Sequence, residues 1–131
     1  MISPNSVRVD IENDQARVIT ADGRFHVARR GSSNAVASCP MCLMLGALGS
    51  CIMLTLDAVA KNKDIPLGDT HVILDYVTLS SGQTRFQVQM KLARGLTDRE
   101  EKILFRSARL CDVGKILKSD ISIDYQLLDD A

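Results

Sequence analysis

The chain has no surplus of either charge: lysine plus arginine and aspartate plus glutamate number 16 each across 131 residues. A nucleic-acid binder needs a clustered excess of basic residues, so this composition argues against that class. A near-neutral surface also does not oppose association between copies of the chain. A second lack is at the amino terminus, where MISPNSVRVD shows no basic segment followed by an apolar stretch, so no secretory signal is read there. A third is an unbroken hydrophobic run. The longest, Met41 to Leu56, is interrupted by Gly46, Gly49 and Ser50 and stops at Asp57, short of the about 18 to 20 residues a membrane span requires. There is no internal repeat and no low-complexity stretch. The expectation is a cytoplasmic protein whose partners include neither nucleic acid nor a membrane.

What is present is an ordinary globular composition, with 46% hydrophobic residues in a length that suits one domain, residues 1–131. Four cysteines stand out. In a reducing compartment thiols stay reduced unless they are catalytic, sensing or metal-bound, although a buried cysteine can also serve as a small apolar residue.

Hydrophobic periodicity places the elements. Val7, Val9 and Ile11 alternate with Arg8, Asp10 and Glu12, the pattern of a strand. Asn13-Asp14 supplies a turn, Ala16 to Thr20 a second strand, Ala21-Asp22-Gly23 a turn, and Arg24 to Ala28 a third strand. After a Gly31-Ser32-Ser33-Asn34 loop, Pro40 to Lys61 reads as a helix rich in Leu, Met and Ala, opened by proline. It is apolar nearly all round until Asp57, so it must be covered on most sides by a core or a partner subunit; a dimer sharing it is favoured. His71 to Leu79 and Thr84 to Ala93 form a hairpin around Ser80-Ser81-Gly82-Gln83. Thr97 and Glu100 make a capping box opening a helix to about Leu110. A short helix over Asp112 to Lys118 and a final strand, Ile121 to Leu127, complete an α+β order, βββ-α-ββ-αα-β.

Each cysteine has a bland and a chemical reading. Cys51, in Leu48-Gly49-Ser50-Cys51-Ile52, is a core residue or a nucleophile approached over the small residues before it. An apolar site disfavours thiolate, so a nucleophilic Cys51 needs a cation brought by the fold. Arg24, Arg29 and Arg30 are the candidates. Cys111 lies at a helix junction, where free N–H groups favour thiolate; Lys115 one turn on assists and Asp112 opposes. Cys39 and Cys42 form Cys-Pro-Met-Cys, which suits a redox dithiol, half a zinc site, or neither. The spacing to Cys51 and Cys111 does not suit a second zinc knuckle, so no metal is expected. His26 and His71 are read as surface or edge histidines.

The segment Pro40-Met41-Cys42-Leu43-Met44-Leu45-Gly46-Ala47-Leu48-Gly49-Ser50-Cys51 resembles the signature of the osmotically inducible protein and organic hydroperoxide resistance (OsmC/Ohr) family. The stretch from Leu56 to Leu67 is similar to that family's helix exit, and Cys111-Asp112-Val113-Gly114-Lys115 to its second motif, a cysteine followed by x-Val-x-Lys/Arg. The element order agrees from about Val7 to Leu127.

The resemblance implies a single OsmC-like domain with antiparallel sheets around a long buried helix, forming an intertwined homodimer. It implies a cysteine-based peroxidase reducing organic hydroperoxides in an oxidative stress response, an antioxidant role. Cys51 would be the peroxidatic residue, oxidised to a sulfenic acid, and Cys111 the resolving residue that forms a disulfide with it. A lipoyl or thioredoxin-like dithiol partner would restore both. No cofactor is implied. Two departures bear on this. The family glutamate that holds an arginine against the thiolate would align at Met41 or Cys42, and the acid is missing. The residue after the second cysteine, often proline in the family, is Asp112. A non-catalytic redox-sensing or ligand-binding protein of the same fold is the alternative, with Cys39 and Cys42 as accessory thiols.

Overall fold

A computed structural model describes residues 6–12, 15–28 and 40–128. The chain divides into two compact units, Met1–Ala47 and Leu48–Ala131.

In the first unit, β1 (Val7–Glu12), β2 (Gln15–Thr20) and β3 (Phe25–Ala28) form an antiparallel meander in the order β1-β2-β3. Asp10 faces Arg17 across the β1–β2 ladder, and the guanidinium grips the carboxylate through Nε at 2.7 Å and Nη2 at 2.8 Å. The Arg17 fork holds the Asp10 carboxyl below the usual carboxylate value. The alternation read in the sequence leaves Val7, Val9 and Ile11 exposed on one face of β1.

Helix α1 (Pro40–Lys63) begins at proline, as the sequence predicts, and spans 24 residues. It continues through Gly46, Gly49 and Ser50, because a glycine inside a helix costs only about 1 kcal/mol relative to alanine. The expectation that the run is too short for a membrane is therefore corrected: α1 is long and apolar enough to cross one by length and composition alone. Its end is a left-handed cap. Asp64 takes φ 54°, and the Ile65 N–H donates to the Ala60 carbonyl at 2.9 Å, the 6→1 bond of a Schellman turn.

In the second unit, β4 (His71–Thr78) pairs antiparallel with β5 (Thr84–Lys91). Leu48, Ile52, Leu56 and Ala60 recur every four residues along α1, and with Leu104, Ala108 and Cys111 they make the buried core. Val72, Leu74, Phe86 and Met90 pack against it. Gly49 is what lets α1 lie close to β4, since a Cβ there would stand 2.8 Å from Leu74 Cδ1. The small residues before Cys51 thus admit a neighbouring strand's side chain. On another face of α1, Leu54 is 70% exposed.

Helix α2 (Asp98–Ala108) carries the predicted capping box: the Glu100 N–H donates to Thr97 Oγ1, and the Thr97 N–H to Glu100 Oε1. Helix α3 (Asp112–Lys118) follows after a short break. The predicted final strand is not present. Residues 121–128 form no ladder with any described strand, and Ile123, Tyr125 and Leu127 stand exposed. Alternation predicts which face is apolar, but a strand exists only where another backbone offers its hydrogen bonds.

Candidate functional site

The core places two cysteines together. Cys51 is half-buried on α1 beside the stripe position Ile52, and its carbonyl accepts a hydrogen bond from the Thr55 hydroxyl at 2.8 Å. Cys111 is buried, 3% exposed, and is the N-cap of α3. Its Sγ accepts the Gly114 N–H at 3.4 Å. Gly114 leaves room for this contact, because a Cβ there would sit 3.0 Å from the sulfur. Cys51 and Cys111 are near enough for Cys51 to act on the Cys111 thiol. Both are free thiols in this state.

Burial pushes the Cys111 thiol above its ordinary value. The Gly114 N–H opposes this, as the sequence reading of a helix start anticipates, while Cys51 adds to the rise through charge and hydrogen bonding. Lys118, in the last turn of α3, also acts on the sulfur and favours its thiolate. The sign for stability follows from the raised value. Folding favours the protonated thiol, so this contribution is full below the ordinary thiol pKa and is lost as pH rises through the raised one.

A direct consequence concerns labelling. With a small alkylating reagent at pH 7, Cys111 is expected to react at least about tenfold more slowly than exposed Cys42, because thiolate and access both limit the reaction. Its rate should keep climbing at pH values where an unperturbed thiol has levelled off. Equal rates for the two peptides in mass spectrometry would contradict the burial and the raised pKa.

Arg24 is exposed in the β2–β3 turn, with its Nε 3.4 Å from Asp22 Oδ2. Arg29, Arg30 and Cys39 lie outside the described residues, as does the His26 side chain. His71 is exposed, and its Nδ1 lies 2.9 Å from the Asp69 carbonyl oxygen. Among the described residues no three His, Cys, Asp or Glu side chains gather as metal ligands would.

Beside Cys111 the second unit holds a cavity of about 570 Å³. Leu48, Ile52, Phe86, Val88, Met90 and Phe105 form its apolar wall, and Cys111 lines it. Sequence reasoning did not single out Lys118, Gly114 or this wall. The wall is drawn from α1, β5 and α2, and only the fold brings those elements around one sulfur.

Comparisons with known proteins agree with this architecture. The profile of the OsmC-like protein family matches residues 30–126. No curated protein sequence matches the chain. Among solved structures, an OsmC-like protein from Mycoplasma pneumoniae superposes with a TM-score of 0.73 at 13% identity, covering 90% of this chain and 89% of that one. An organic hydroperoxide resistance protein from Elizabethkingia anophelis gives 0.63 at 18%, covering 92% and 93%. The organic hydroperoxide resistance protein OhrB of Bacillus subtilis gives 0.60 at 15%, covering 90% and 94%. At these identities the superpositions establish the fold, and the α+β order of two small antiparallel sheets with three helices is the OsmC-like one. With its family profile matched from residue 30 to 126 and its fold shared by these structures, the chain belongs to the OsmC-like protein family.

Proposed function

We propose that the protein is a thiol-dependent peroxidase for organic hydroperoxides. The observation that carries this reading is the pairing of two free thiols, Cys51 packed against the buried core that holds Cys111, with Cys111 lining a cavity that has an apolar wall. The names of two fold neighbours, both organic hydroperoxide resistance proteins, point the same way.

The chemistry balances within the pair. The Cys51 thiolate attacks the terminal peroxide oxygen, the O–O bond breaks, and the alkoxide leaves as an alcohol on taking a proton. Cys51 is then a sulfenic acid. The Cys111 sulfur attacks the Cys51 sulfur, water departs, and a disulfide remains. An external dithiol, lipoyl or thioredoxin-like, reduces that disulfide by two exchanges and is itself oxidised. The raised pKa keeps Cys111 from competing for peroxide, and it must give up its proton to attack the Cys51 sulfur. One of Arg24, Arg29 and Arg30 is the candidate cation for Cys51.

The working unit in this reading is a homodimer in a reducing, cytoplasmic setting. Its support is the apolar surface that one chain leaves uncovered: Val7, Val9 and Ile11 on β1, Leu54 on α1, and Ile123, Tyr125 and Leu127 in the carboxyl-terminal segment. An apolar strand face, an exposed helix leucine and an alternating segment with no ladder in the described chain are what a second copy would pair and cover.

The missing acid near the start of α1 favours a second reading, in which the same thiols sense oxidation without turnover. Steady-state assays with a dithiol and cumene hydroperoxide separate the two. Cys111→Ser is expected to consume about one equivalent of peroxide and stop, leaving a sulfenic acid that dimedone traps. Wild-type protein should continue for many equivalents. A wild-type protein that also stops after one equivalent, with its disulfide formed and reducible, would overturn the peroxidase in favour of the sensor.

A further inference from the structure

The cavity beside Cys111 has charged residues of one sign only. Arg85, Arg109 and Lys118 line it, and no aspartate or glutamate does. The chain as a whole carries as many acids as bases. The three come from different elements: Arg85 from β5, Arg109 from the carboxyl-terminal cap of α2, and Lys118 from the last turn of α3. None of them forms an ion pair with a described carboxylate. Arg106 also sits in the last turn of α2, yet it does not line this cavity. The charge is therefore gathered by the tertiary structure.

The rest of the lining is of the opposite character. Leu48 and Ile52 come from α1, Phe86, Val88 and Met90 from one face of β5, and Phe105 from α2. A cavity of about 570 Å³ falls within the range of roughly 300 to 1,000 Å³ usual for small-molecule sites. Apolar walls with a few polar groups are the usual recipe for fixing a ligand's orientation. Two guanidinium groups supply planar forks for an oxyanion, and the lysine adds a point charge.

We propose that this cavity binds an amphipathic anion, with its alkyl chain against the apolar wall and its carboxylate or phosphate head on Arg85, Arg109 and Lys118. The site goes beyond the peroxidase reading, because it calls for no peroxide group on the ligand. It also places the ligand against Cys111, so occupancy shields that thiol.

Calorimetric titration of the reduced protein in low salt, with no peroxide present, tests the site by itself. The probes are decanoate, decyl phosphate and decanol, each below its micelle concentration. Both or either of the anions should bind at least tenfold more tightly than decanol, and the difference should shrink as salt is raised. The tighter of the two identifies the head group. The triple variant Arg85→Gln, Arg109→Gln, Lys118→Gln changes exposed side chains, so its melting temperature should stay near that of the wild type. It should lose at least tenfold in affinity for the anion and none for decanol. A bound anion should also slow alkylation of Cys111 while leaving exposed Cys42 unaffected. Equal binding of decanol, no binding of any probe, or undiminished anion affinity in the triple variant would overturn the proposal. None of these results bears on turnover, which is read in the separate peroxide assay.

Discussion

Cys51→Ser is expected to lower hydroperoxide consumption by on the order of a thousandfold or more, since the nucleophile itself is removed. A serine hydroxyl stays protonated at neutral pH and cannot hold the transferred oxygen as a stable sulfenic acid. The substitution is nearly isosteric at a half-buried position, and the Thr55 hydroxyl bonds the Cys51 backbone carbonyl, not the sulfur. The fold should therefore survive, and an unchanged circular dichroism melt is the control. Exposed Cys42 provides the contrast: Cys42→Ser should leave the rate within about twofold, because surface substitutions seldom disturb a distant step. Hydroperoxide loss at the wild-type rate in Cys51→Ser would sink the assignment of the peroxidatic thiol.

The second large effect concerns stability. Leu56 and Leu104 are both fully buried, at 0% exposure, one on α1 and one on α2. Replacing either with alanine removes core contacts and leaves a void, which costs about 2 to 5 kcal/mol for such leucines. Urea denaturation should show the midpoint falling with little change in slope. Leu54→Ala, by contrast, should cost well under about 1 kcal/mol in an isolated chain, because that side chain is 70% exposed. In a homodimer that covers it, the cost grows and the unfolding midpoint depends on protein concentration. Sedimentation of the two variants beside the wild type reads both effects. A Leu104→Ala protein as stable as the wild type would mean that this core is not the one that holds the domain.

Much of this fold is legible because its elements signal themselves locally. The capping box at Thr97 and Glu100 forms as read, since both hydrogen bonds are made within four residues. The β5 alternation is likewise local, and α3 runs from Asp112 to Lys118 as expected. The carboxyl-terminal segment shows where local pattern fails. Ile121 to Leu127 carries the alternation of a strand, yet no ladder forms in the described chain, because pairing depends on a second backbone. Cys111 is a subtler case. Its place at the start of a short helix was readable, and the Gly114 N–H does favour its thiolate. Burial outweighs that amide, and burial is set by α1 and α2, which lie elsewhere in the chain.

The absence of a dominant charge, the helix-forming run after Pro40 and the two cysteine motifs were determined by the sequence alone, since each is a matter of composition or near-neighbour spacing. They sufficed for the family. Tertiary structure decided which groups meet: Cys51 against the core that buries Cys111, Lys118 acting on that sulfur, and three cations around an apolar cavity in a chain of zero net charge. The physical reason is range. Hydrogen-bonded turns and amphipathic faces arise between residues a few positions apart, whereas desolvation and Coulomb interactions depend on distance through space, which only the packed chain defines.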